Sequence, residues 1–312
     1  MNKEETTMRY FKAFHPGMIC NGKQYAENTT YEEQGADECC EAGVMHFCEM
    51  PLDCLDYYNL IDNDGKIVEF AKVEPLDKVL TDGNKRASKK LHIGAKLSLK
   101  EIINAQVDIQ IEKSTPAFAA SGDGSQLAAS GNNSQLAASG YGSQLAASGY
   151  GSQLAASGDG SQLAASGDGS KLAASGNNSK LAASGYGSQL AASGDGSQLA
   201  ASGDGSKLAA SGYGSKLAAS GDGSQLAASG NNSKLAASGN DSQLVASGND
   251  SIVAAIGVNN VASASLGSWI VLAEYDNGGK PICVKAAQVD GEKLKPNVFY
   301  RLVEGEFAEA NV

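Results

Sequence analysis

The chain has 312 residues, of which 42% are hydrophobic but only 6% aromatic, and its formal net charge is −11. The acidic excess is spread along the chain with no basic stripe to neutralise phosphates, which argues against nucleic acid as a ligand. No apolar run approaches the ~18 residues of a membrane-spanning helix, so no membrane association is expected.

The first residues, Met1-Asn-Lys-Glu-Glu-Thr-Thr, are polar with no apolar run behind them, which predicts a chain without a secretion signal that acts in a cytoplasm. Five of the six cysteines fall between Cys20 and Cys54. In that compartment they read as reduced thiols rather than disulfides.

Residues 1–111 read as a small α+β head domain. Strands are expected at residues 9–14, 45–48, 67–73 and 91–93. Residues 51–58 read as a helix, with Pro51 in its first turn and apolar residues three and four apart. Residues 97–105 read as a second helix, with Ser98 as a cap ahead of Glu101. One reading of the cysteine-rich segment places zinc on Cys40, His46, Cys48 and Cys54, because thiolate and imidazole are its usual ligands. Against it, the CxxC knuckle is absent and free cysteines are commonly buried, so core packing is the expectation and no cofactor is assigned. A Cys–His catalytic pair (Cys48 or Cys20 with His46 or His15) lacks an orienting third group, so no catalytic residue is assigned either.

Tyr10-Phe-Lys-Ala-Phe14, the Cys20 and Tyr25 pair, and the run Val44-Met-His-Phe-Cys-Glu-Met-Pro-Leu-Asp-Cys-Leu-Asp-Tyr-Tyr58 resemble a small uncharacterised domain of phage and prophage proteins. The resemblance covers about a third of the chain and implies a phage origin, but no activity. The pattern HFCxxPLDxLxYY also resembles the strand-then-helix core of ADP-ribosyltransferases. The Arg or His, the Ser/Tyr strand and the late Glu that such enzymes need have no counterparts that can be placed in this chain.

From Ser121 to Ala255 the sequence is fifteen consecutive copies of a nine-residue unit, SGxGSxLAA. A fixed period of this kind is the signature of a stacked repeat, in which no single unit can bury its apolar face alone. Ser125, Leu127 and Ala129 alternate with Gln126, Ala128 and Ser130 as a strand's two faces do. Gly-Asp-Gly, Gly-Asn-Asn and Gly-Tyr-Gly supply turns. Nine residues are too few to close a coil around side chains, so two units per coil are expected, with unit n stacked on unit n+2. In that pairing only Asp204 and Asp222 stack Asp on Asp, which keeps like charges apart elsewhere. Residues 112–120 fit one degenerate unit, with Phe118 in the Leu position to plug the first coil. The expected architecture is mainly β: a parallel β-solenoid over residues 112–264, the α+β head, and an antiparallel β cap over residues 265–312.

The GYGS strings at Gly140–Ser143 and Gly149–Ser152 resemble bacterial ice-nucleation repeats, and residues 251–260 resemble trimeric adhesin head repeats. Both resemblances imply a β-roll and nothing about activity. A calcium-binding nonapeptide roll needs Asp where this chain has Gln or Lys. In the cap, residues 269–274 and 282–289 read as strands joined by the turn Asp276-Asn-Gly-Gly279, and Trp269 is expected to be buried in a core this small.

These features point to a non-enzymatic binding or scaffold protein of phage origin that engages a host protein in the host cytoplasm, with interference in a host defence system as its role. The expected contacts are the turn-tip tyrosines Tyr141, Tyr150, Tyr186 and Tyr213 and the repeat lysines Lys171, Lys180, Lys207, Lys216 and Lys234. A homodimer through the solenoid or the cap is a further expectation. A virion tail or fibre accessory, and an enzyme in the head, stand as the alternatives.

Overall fold

The computed structural model describes residues 10–35, 39, 43–62, 66–113 and 119–310. The chain divides into two compact units, residues 1–62 with 67–106, and residues 63–66 with 107–312.

The first unit is built on a seven-stranded antiparallel sheet of order β4-β9-β6-β1-β5-β8-β7. Its strands are β1 (Tyr10–Phe14), β4 (Thr29–Glu32), β5 (Met45–Cys48), β6 (Glu69–Pro75), β7 (Leu80–Asp82), β8 (Lys85–Ser88) and β9 (Lys90–Leu97). A two-strand hairpin, β2 (Ile19–Cys20) with β3 (Lys23–Gln24), sits between β1 and β4. Phe14, Phe47, Leu91 and Ile93 are fully buried in its core. The segment expected as a helix at residues 51–58 is a 3-10 helix, Pro51–Asp56. The bonds Asp53 N–H to Met50 O (3.1 Å) and Tyr57 N–H to Cys54 O (3.2 Å) keep it at three residues per turn. Helix α1 (Leu99–Lys113) begins with a complete capping box. Glu101 Oε2 accepts from Ser98 N–H at 2.7 Å, and Ser98 Oγ accepts from Glu101 N–H at 3.3 Å.

The second unit is the parallel β-solenoid, with two repeats per coil. Strand β10 (Ala119–Ala120) is followed by one four-residue strand in every nine residues, from β11 (Gln126–Ala129) to β25 (Ile252–Ala255) and β26 (Val261–Ala264). Even-numbered strands stack into one sheet and odd-numbered strands into the other, each holding nine parallel strands. Registers run straight up the stack, as in Leu163↔Leu181 and Leu172↔Leu190. At the usual strand spacing the stack is about 38 Å long. Its interior is a ladder of Leu and Ala with the fifth-position serines, all but the first few of them fully buried. Each such serine donates its hydroxyl to the glycine carbonyl three residues earlier, as Ser197 does to Gly194 O at 2.7 Å, so a buried hydroxyl is satisfied at every corner. The expected plug at Phe118 lies outside the described residues.

The turn composition follows from two separate demands. The fourth position of every unit has positive φ, whether it is Gly187 (63°), Asn178 (54°) or Asp250 (55°), so only Gly, Asn or Asp occurs there. The first glycine is required by stacking instead. A Cβ on Gly194 would come within 2.6 Å of Asn177 N, and closer still to the carbonyl of Gly176 in the coil below. The third position explains the mixture of Asp, Asn and Tyr. Asp and Asn there accept a backbone N–H from the residue 18 further on, as in Tyr213 N–H to Asp195 Oδ1 at 2.8 Å. Each of the four tyrosines sits on such an acceptor: Asp123, Asn132, Asp168 and Asp195 lie beneath Tyr141, Tyr150, Tyr186 and Tyr213. The Asp204–Asp222 stack is stabilised the same way, with Asp222 N–H donating to Asp204 Oδ1 at 2.9 Å.

At the far end, strand β27 (Trp269–Tyr275) is both the last coil and the first cap strand. It pairs parallel with β25 and antiparallel with β28 (Pro281–Gln288). The other sheet is extended by the hairpin of β29 (Tyr300–Val303) and β30 (Glu306–Glu309), and Val289, Leu294, Tyr300 and Leu302 close the core. The turn before β27 is one residue shorter than the rest, so Trp269 stands over Ile252 after 17 residues rather than 18. That register corrects the expectation of a buried Trp269. It occupies the outward position held by Gln or Lys in the repeats and is 46% exposed.

Candidate functional site

Strand parity decides what the solenoid shows to solvent. In the sheet of odd-numbered strands, Leu and the second Ala point inward, while Gln or Lys, the first Ala, and the following Ser point outward. The outward face therefore carries three straight rows: Gln126, Gln144, Gln162, Lys180, Gln198, Lys216 and Lys234; then alanines; then serines. Two shallow grooves of about 1090 and 1080 Å³ flank the alanine row along the face. No Asp or Glu lies in these rows.

The sequence-derived contact residues do not converge on one surface. Lys180 (in β17, Lys180–Ala183), Lys216 (β21, Lys216–Ala219) and Lys234 (β23, Lys234–Ala237) lie on this exposed face. Lys171 (β16, Lys171–Ala174) and Lys207 (β20, Lys207–Ala210) belong to the other sheet and are half-buried. Tyr141 and Tyr213 stand on the edge where odd-numbered strands begin, and Tyr150 and Tyr186 on the edge where they end. All four rings are exposed; those of Tyr141, Tyr150 and Tyr186 lie against the turn glycine of the next coil, Gly160, Gly169 and Gly205. The even/odd alternation that splits the set was implicit in two units per coil. Lys216 and Lys234 are direct partners in register, two ammonium groups on adjacent strands roughly 5 Å apart at the backbone.

The head holds a polar group that periodicity did not single out. Lys12 lies in the core with its Nζ 2.8 Å from His46 O and 5.4 and 5.7 Å from the ring centres of Phe14 and Tyr25. Its place in the alternation Tyr10-Phe-Lys-Ala-Phe14 was the available signal: it shares a face with two aromatics. Cys20 Sγ and the Tyr58 hydroxyl are 2.9 Å apart, and burial followed by the Cys20 contact pushes the Tyr58 phenol well up. The Cys54 thiol is pushed up by its hydrogen bond with Cys48 and then by burial, and its Sγ lies 3.4 Å from Phe11 O. Both groups are held neutral, the reverse of what an activated nucleophile needs. His46 donates from Nε2 to Cys39 O. Cys40 lies outside the described residues, and among the described residues no three His, Cys, Asp or Glu side chains are grouped to hold a metal. No described helix is long and apolar enough to cross a membrane.

The fold and this face define a β-solenoid protein with an appended head. A family model described as a domain of unknown function (DUF7666) matches residues 8–105, the head alone. No curated protein and no solved structure matches the chain.

Proposed function

We propose that this is a non-enzymatic binding scaffold whose odd-strand face engages an acidic surface of a protein partner. The observation that carries the reading is the Lys216–Lys234 pair. Like charges opposed on neighbouring strands destabilise a sheet, and no acidic side chain of the face stands beside these two. A carboxylate of a partner placed between them would relieve the repulsion, and Lys180 extends the same row two coils away. The repeat holds the row rigid, so little side-chain and backbone order is lost on docking. Tyr141 and Tyr213 border the lysine edge of the face and would act as rim anchors. In keeping with the phage resemblance of the head, the partner is a host protein met in the host cytoplasm, and its inhibition serves the phage against a host defence system.

The test is co-purification from bacterial lysate of wild-type protein beside the double variant Lys216→Glu, Lys234→Glu. A stoichiometric partner held by the wild type, lost on raising salt and lost in the variant, is expected. A partner held equally by both proteins would remove the lysine row from recognition.

A further inference from the structure

The two sheets of the solenoid end differently. The sheet of even-numbered strands ends at β30, only four residues long, with Glu306 and Glu309 exposed, the usual protection of a sheet edge. The sheet of odd-numbered strands ends at β28, eight residues long, with no strand beyond it among the described residues. Its one charged residue, Lys285, points inward, where it donates to Gly305 O at 2.9 Å and pairs with Glu306 at 2.6 Å. The outward side chains Ile282 and Val284 are each 62% exposed. They continue an apolar patch through Trp269, Ile252 and Ile256, at positions where the repeats carry Gln, Lys or Ser. An unguarded edge beside an exposed apolar patch is where another strand adds.

The geometry points to a second copy of this chain as the occupant, joined through β28 in an isologous antiparallel pair. Val289 N–H bonds to Ser268 O in the neighbouring strand. Alternation then turns the main-chain groups of Val284, Ala286 and Gln288 to the free edge, up to the register shift opposite Glu274 and Tyr275 that interrupts it at Ile282. A two-fold axis through Val284 sets Val284 against itself, Ile282 against Ala286, and Lys285 against Cys283. That register overlaps β28 from Pro281 to Ala287, opposes apolar side chains to apolar side chains, and keeps Lys285 away from its copy. Moving the axis to Lys285 would oppose two ammonium groups. Moving it to Cys283 would set Pro281 against Lys285 and cut the overlap to residues 281–285. The Val284 axis gives about four new main-chain hydrogen bonds and merges the two odd-strand sheets into one.

Sedimentation equilibrium of the full-length protein tests this. The wild type is expected at twice the chain mass. Val284→Pro removes an edge donor that β27 does not use, and Ile282→Lys places charge in the pair; each should raise the dimer dissociation constant at least about a hundredfold. In a Cys283→Ala background, Val284→Cys should form a covalent dimer under mild oxidation, because its Cα atoms would be about 5.5 Å apart. Ile282→Cys should not, since its copies would be about 14 Å apart. A wild type that stays monomeric, or a dimer that both Val284→Pro and Ile282→Lys leave intact, would overturn the assignment.

Discussion

Replacing Gly194 by Ala in the middle of the solenoid isolates the force that fixes the repeat. The added Cβ would meet backbone of the coil below, 2.6 Å from Asn177 N, with no flexible side chain to move aside. The turns must separate by roughly 1 Å to reach ordinary contact, and interiors resist such shifts at a cost of about 2 kcal/mol. Two bonds join these turns, Asn178 N–H to Asp195 O at 2.7 Å and Asp195 N–H to Asn177 Oδ1 at 2.9 Å. Losing both adds about 2 kcal/mol, for a total near 4 kcal/mol. Gly187→Ala is the control, because its Cβ would meet nothing within 4 Å and only its positive φ is strained, at about 1–2 kcal/mol. Denaturant melts followed by circular dichroism should therefore show at least about twice the destabilisation for Gly194→Ala. Repeat arrays can unfold in parts, so hydrogen exchange should locate the lost protection in the coils around residue 194. Equal effects of the two substitutions would refute the stacking argument and leave backbone conformation as the only reason for glycine.

Two further outcomes follow from the same geometry. Asp195→Ala should cost about 1 kcal/mol by leaving Tyr213 N–H without its acceptor, whereas Asp195→Asn should be near neutral, as Asn177 already serves in this role; paired melts would distinguish them. In the head, burial holds the His46 imidazole below its ordinary value of 6.5, aided by Lys85 and Lys12 and opposed by the bond to Cys39 O. The unfolded chain then binds the proton first, so this contribution is complete above pH 6.5 and is lost as pH falls through the depressed value. His46→Gln should flatten the stability–pH curve of the head in that window, measured by the near-ultraviolet signal of the full chain. An unchanged slope would show that the imidazole does not titrate differently on folding.

Much of the fold was legible in the residues. The nine-residue period, the Leu–Ala alternation and the turn glycines led to two units per coil, because nine residues cannot enclose a core and identical units must stack in register. The capping box at Ser98 and Glu101 was equally readable, being a local hydrogen-bond pattern. Other features needed the third dimension. The 3-10 winding of Pro51–Asp56 and the short strands β4, β7 and β8 are set by what they pack and pair with, not by their own periodicity. The candidate site was legible only in part: the lysines and tyrosines stood out, but alternate coils send them to opposite faces and edges, leaving Lys180, Lys216 and Lys234 on the exposed face of the odd-numbered strands.

What the sequence by itself determined is therefore the repeat and its chemistry: which positions face inward, and which turns need Gly, Asn or Asp. Only the tertiary structure decided where that regularity stops. A turn shortened by one residue holds Trp269 over Ile252 on the outside, and chain reversal at Asp276 leaves β28 with no strand beyond it among the described residues. Strand pairing is a relation between segments distant in the chain, so no local pattern could state which edge would remain unpaired.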